Sequence, residues 1–143
     1  VELFSQFVDE DIATLRRVSR ESRTQEGYLI AMSNLVGSFT AGADRAKHRA
    51  LRTRIVAASL TRPELRLVIG RTQQRLTEEL TEVVRFGQDA GWLRNDLSPH
   101  ALAVAVQALT IGRTLDDVSA TPITSEELEP LLSVLLLSML RSD

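Results

Sequence analysis

The chain has 143 residues, 43% of them hydrophobic and 4% aromatic, which fits a single domain over residues 1–143 with a core of Leu, Val, Ile and Ala. It has no cysteine, so disulfides and thiolate chemistry are excluded, and a cytoplasmic location is compatible with that usage. The net charge of −2 argues against a nucleic-acid binder, but the charge is unevenly spread: residues 44–75 carry +7, between −2 over residues 1–43 and −7 over residues 76–143. A basic middle between acidic flanks is either a phosphate-binding patch or, more commonly, one half of an intramolecular complementarity.

The periodicities predict helices throughout. The first runs from Val1 or earlier to about Ser22, with Phe4, Val8, Leu15 and Val18 recurring at three- and four-residue steps beside Leu3, Phe7 and Ile12. The second covers about Gln25 to Thr40, with Tyr28, Met32, Leu35, Val36 and Phe39 as its stripe and Ser33, Gly37 and Ala41 as a small-residue face. The third spans about Arg45 to Leu60, with His48, Leu51, Ile55 and Ala58 in register. Thr61-Arg62-Pro63 then interrupts the chain, and a long fourth helix runs from Pro63 to Ala90. Its stripe is Leu65, Ile69, Leu76, Leu80, Val83 and Val84, with Thr72 set inside it.

The punctuation after it is unusually clear. Gly91 stands where a helix stop needs a left-handed residue, with apolar Trp92 and Leu93 beyond it to fold back on the last turn. Ser98-Pro99 opens a fifth helix that reaches about Thr114. A polar connection, Asp116 to Thr124, leads to a sixth helix with a Thr124-x-x-Glu127 capping box. Pro130 lies deep for a first turn, so a bend or a later start is expected there. The longest near-continuous apolar run, Leu131 to Leu140, falls far short of the roughly 20 residues that span a bilayer, so no membrane partner is expected.

This order of helices resembles the C-terminal, ligand-binding domain of TetR-family transcriptional regulators. The likeness is carried by Arg62-Pro63-Glu64-Leu65 opening the long helix and by Leu80 through Gly91 with Trp92-Leu93. Asn95-Asp96-Leu97-Ser98-Pro99, Ala101-Leu102-Ala103, Ala108-Leu109 and Gly112 complete it. The resemblance implies an all-α bundle of about six helices and a homodimer whose last two helices pair with their counterparts in a four-helix interface. The residues allow such pairing: Ala101, Ala105, Ala108 and Gly112 permit close approach, and Leu128, Leu132, Leu135, Leu136 and Met139 clothe more than one face of the sixth helix. The family's DNA contact is made by an N-terminal helix-turn-helix, and nothing here matches it. Val1 sits inside an apolar periodicity, so the chain is expected to be a piece of a longer protein that binds DNA through that segment.

No catalytic constellation stands out, and the chain does not read as an enzyme. His48 and His100 have no metal-ligand spacing, no cofactor motif is present, and Gly87-x-x-x-Gly91 is a helix end rather than a phosphate loop. Glu78, Glu79 and Glu82 read as a solvated face, and Arg71, Gln73, Gln74 and Arg75 could line a groove but read better as surface. The expected site is a pocket for a small-molecule effector between helices, drawn from large or polar residues on apolar stripes. These are Tyr28, Met32, Phe39, His48, Thr72, Gln107 and Thr110, with core packing or a polar dimer seam as the competing roles. The alternative is a helical protein-interaction and dimerisation domain with no small-molecule ligand.

Overall fold

The computed structural model describes residues 1–40 and 43–141, the side chains of residues 36–44 excepted. Six helices follow in chain order: α1 (Glu2–Glu21), α2 (Gln25–Thr40), α3 (Ala43–Thr61), α4 (Pro63–Asp89), α5 (Pro99–Asp117) and α6 (Ser125–Ser138). Phe39, Gly37 and Ala41 lie outside the side chains described, and so does Val36. No helix among the described residues is long and apolar enough to cross a membrane.

α4 is the axis of the bundle, packing on α1, α3 and α5. Its predicted stripe is the buried one: Ile69, Leu76, Leu80, Val83 and Val84 face inward with Phe4, Val8, Ile12, Leu15 and Val18 of α1. Thr72 is buried within that stripe because its hydroxyl donates to the Val68 carbonyl at 3.1 Å, which satisfies it inside its own helix. α3 departs from its predicted apolar stripe. Among its described side chains the buried ones are Arg49 and Ser59, while His48, Leu51, Ile55 and Ala58 are half-buried, because α3 meets its neighbours partly through ion pairs.

The α4 stop is a complete Schellman arrangement. Gly91 has φ +79°, its N–H donates to the Gln88 carbonyl at 3.0 Å, and the Trp92 N–H donates to the Gly87 carbonyl at 2.9 Å. Leu93 folds back into the core, and Trp92 covers Tyr28 and Phe86 with ring centroids 5.5 and 5.7 Å away. Gly87 is required for a second reason: a Cβ there would lie 2.6 Å from the Tyr28 hydroxyl.

Ser98 caps α5 by accepting from the Ala101 N–H at 3.1 Å, with Pro99 at the first helical position. α5 runs to Asp117, three residues beyond the predicted end, because Asp117 is held by a partner on α3. Thr124 caps α6 through the Glu127 N–H at 3.2 Å. The later start expected at Pro130 does not occur: the helix begins at Ser125 and continues through the proline. α6 packs mainly on α2 and contains no buried residue. Its end is tied to the α4–α5 turn by an isolated bridge, Leu93 to Leu140, in which the Arg94 N–H donates to the Met139 carbonyl at 2.9 Å.

Candidate functional site

The charged residues of α1, α3 and α5 meet in the interior of the bundle. Arg52 Nη2 donates to Asp11 Oδ2 at 2.9 Å, and the two side chains are 15% and 14% exposed. The Arg52 guanidinium also lies 5.9 Å from the centre of the Phe4 ring. Burial pushes the Asp11 carboxyl above its usual range, outweighing the attraction of Arg52 and the weaker one of Arg45. Deeper along α3, Arg49 donates to both oxygens of Asp117, at 2.8 and 2.7 Å. Those hydrogen bonds are the main reason the Asp117 carboxyl is held below the usual range. With Arg75 paired to Asp9 on α1, three of the basic residues from the positive middle of the chain find carboxylates from its acidic flanks. Intramolecular complementarity therefore accounts for much of the charge pattern.

Around the Asp11–Arg52 pair run two adjoining clefts, which share Asp11, Arg52 and Thr110. The first, between α1, α3 and α5, is lined by Phe7, Glu10, Arg45, His48 and Arg49 and holds about 410 Å³, much of it open to solvent. Phe7 and His48 stack there with ring centroids 4.3 Å apart. The second, about 370 Å³, lies against α4 and α5 and is more apolar, with Leu76, Leu80, Val106 and Ile111 beside Gln73 and Gln107. The two glutamines are linked: Gln73 Nε2 donates to Gln107 Oε1, and Gln107 Nε2 donates to Thr77 Oγ1 at 2.9 Å. The enclosed part of each cleft is only about 30 and 20 Å³, room for a water molecule. A larger guest has to displace side chains.

Of the residues expected to bind an effector, His48, Gln107 and Thr110 come together at these clefts. Tyr28 and Met32 sit elsewhere, in the core; the Tyr28 hydroxyl is satisfied by donating to the Val83 carbonyl at 2.8 Å, and burial pushes its pKa up. Thr72 lies in the α4 stripe and lines neither cleft, and Phe39 lies outside the described side chains. Residue-by-residue reading missed Asp11, Arg52, Arg49 and Phe7, and it set Gln73 down as surface in preference to a groove. The signal that pointed toward three of them was the alternation of charge along the chain.

A second feature is the outer surface of α5 and α6. Ala101, Ala105, Ala108 and Gly112 are all exposed, alongside Val104, Leu109, Ile111 and Leu115, the last 80% exposed. On α6, Leu135 is exposed with Leu131, Val134 and Leu137, while Leu128, Leu132, Leu136 and Met139 are half-buried.

Among curated proteins and among solved structures, nothing matches the chain. Residues 32–141 do match a family described as "BetI-type transcriptional repressor, C-terminal". That span runs from the middle of α2 through α6 and includes α3, α4 and α5 of the two clefts and the apolar surface of α5 and α6, but not α1. With the all-helical architecture in agreement, the chain belongs to the TetR family of transcriptional regulators, as a C-terminal domain of the BetI type.

Proposed function

We propose that this domain binds a small-molecule effector in the paired clefts and dimerises through α5 and α6, so that effector binding alters DNA binding by an N-terminal helix-turn-helix preceding α1. The observation that carries the effector half is the position of Asp11. It stands on α1, lines both clefts and pairs with Arg52 of α3. A guest that opens clefts this small has to displace side chains that join α1 to α3. A guest preferring one position of α1 over another shifts the balance between them, which is the requirement for regulation.

The dimer half rests on α6. A helix carrying Leu131, Leu132, Val134, Leu135, Leu136 and Leu137 with none of them buried exposes a face suited to association, and α5 likewise exposes its small-residue positions.

The absence of cysteine makes one experiment direct. A Gln6→Cys variant carries a single spin label on the exposed side of α1, and pulsed electron resonance reads the label-to-label distance across the dimer. The expected result is one intermolecular distance that changes when a cleft ligand is added. A particle of 15.9 kDa at micromolar concentration overturns the dimer, and an unchanged distance with ligand bound overturns the transmission through α1.

A further inference from the structure

We propose that the second cleft selects an uncharged aliphatic molecule carrying a hydrogen-bond donor, of the class of an alcohol or a primary amide, and that Gln107 is the residue that selects it. This rests on the effector reading above and specifies its chemistry.

The direction of the Gln107 amide is set by its neighbours. Thr77 donates its hydroxyl proton to the Gln73 backbone carbonyl at 3.1 Å. Its oxygen therefore faces α5 as an acceptor, and Gln107 meets it with Nε2 at 2.9 Å. The same Nε2 reaches the Ala103 carbonyl at 3.4 Å. Turning the amide over would set its oxygen against two acceptors, so Oε1 is the end left to the other side. What covers Oε1 is the amide of Gln73, which donates to it through Nε2.

Both glutamines line the second cleft, so the Gln107 acceptor belongs to its wall, under a side chain that a guest can replace. Gln73 is half-buried, and its amide regains water as a partner when it is turned aside. Thr110 lines the same cleft and donates its own hydroxyl to the Val106 carbonyl at 3.1 Å, which leaves it only lone pairs to offer. With Gln73 displaced, the neutral polar groups that meet a guest are acceptors, and they are matched by a donor.

Ions fit less well. An ionised carboxylate brings acceptors alone to Gln107 Oε1 and Thr110, and Arg52, the cation of the described lining, is already turned to Asp11 and to the Phe4 ring. An ammonium brings donors but needs a carboxylate to face once it leaves water, and Asp11, the carboxylate of that lining, already receives Arg52 at 2.9 Å. The rest of the wall is Leu76, Leu80, Val106 and Ile111, with no aromatic ring among them, which suits an aliphatic body.

The test is calorimetric titration of the chain with the primary alcohol heptanol and with its isomer methyl hexyl ether, which has the same atoms but no donor. Heptylammonium, heptanoate and ethanol are titrated beside them, and the set is repeated on Gln107→Leu and Gln73→Ala. Heptanol is expected to bind on the order of ten-fold more tightly than the ether, and ethanol far more weakly than heptanol. Gln107→Leu should lose the preference for the alcohol. Gln73→Ala, which removes the cover and keeps the acceptor, should bind heptanol a few-fold more tightly with the preference intact; this variant decides the matter if Gln107→Leu fails to melt cooperatively. Equal binding of the ether by the parent overturns the proposal, as does a folded Gln107→Leu that keeps the preference, or a Gln73→Ala that binds heptanol no better than the parent. Heptylammonium or heptanoate binding more tightly than heptanol overturns the uncharged class, equal binding of ethanol overturns the aliphatic body, and no binding by heptanol overturns the whole. Failure of the underlying effector reading shows differently: heptanol binds with the stated preference, but the label-to-label distance on α1 does not move.

Discussion

α4 and α6 make an instructive pair. α6 is the more apolar of the two along its length, yet it contains no buried residue, whereas α4 carries nine charged residues over Pro63–Asp89 and still buries eight residues. Arrangement decides the difference. The apolar residues of α4 are gathered into one stripe that α1, α3 and α5 enclose, and its charges point away. Those of α6 are spread around the helix, so its packing on α2 half-covers some and leaves others in the open. An apolar stripe builds a core; an apolar circumference builds an interface.

The sharpest way to break this contrast is to shorten the buried stripe. Leu80→Ala should cost about 2–5 kcal/mol in denaturant unfolding, independent of protein concentration. If Leu137→Ala on α6 cost as much in dilute solution, the distinction between the helices would not stand. Next comes the seam between α3 and α5. Asp117→Asn removes the carboxylate that accepts two hydrogen bonds from buried Arg49 and should cost on the order of 3 kcal/mol near neutral pH. The sign with pH follows from the depressed Asp117 carboxyl. Its stabilisation is present above the ordinary carboxylate pKa of 3.8 and is lost as pH falls through the lower folded value. The parent should therefore lose stability on acidification through that window, and the asparagine variant should lose less. The smallest effect concerns how α6 is started. Thr124→Ala removes its capping oxygen and should lower stability by about 1 kcal/mol, with the loss of helical signal confined to α6. An unchanged α6 would mean that packing on α2, rather than the cap, sets its first turn.

The helices were legible because their ends are written in local chemistry. Gly91, Ser98-Pro99 and Thr124 act within four residues of themselves, and each acts as expected. The end of α5 was misplaced because it depends on Arg49, 68 positions away in sequence from Asp117. The site was legible only in part for the same reason. Polar residues on apolar stripes attract attention as site candidates, but Thr72 and Tyr28 are satisfied by backbone carbonyls at Val68 and Val83 and pack in the core. His48, Gln107 and Thr110 were found by that logic, while Asp11 and Arg52 were not, since their meeting joins α1 to α3 across 41 positions. The charge profile of the chain held that information in coarse form: it foretold that acidic flanks would meet a basic middle without saying which side chains would do so.

The bridge between Leu93 and Leu140 has a consequence for the motions of α6. It fastens the last residues of that helix to the rigid stop of α4, while its first turn relies on a threonine cap and its middle has no buried anchor. In a lone copy, backbone deuterium uptake along α6 should therefore be graded, fastest near Ser125 and slowest toward Met139. Pairing with a second copy should erase that gradient, turning a helix that frays from one end into one protected along its whole length.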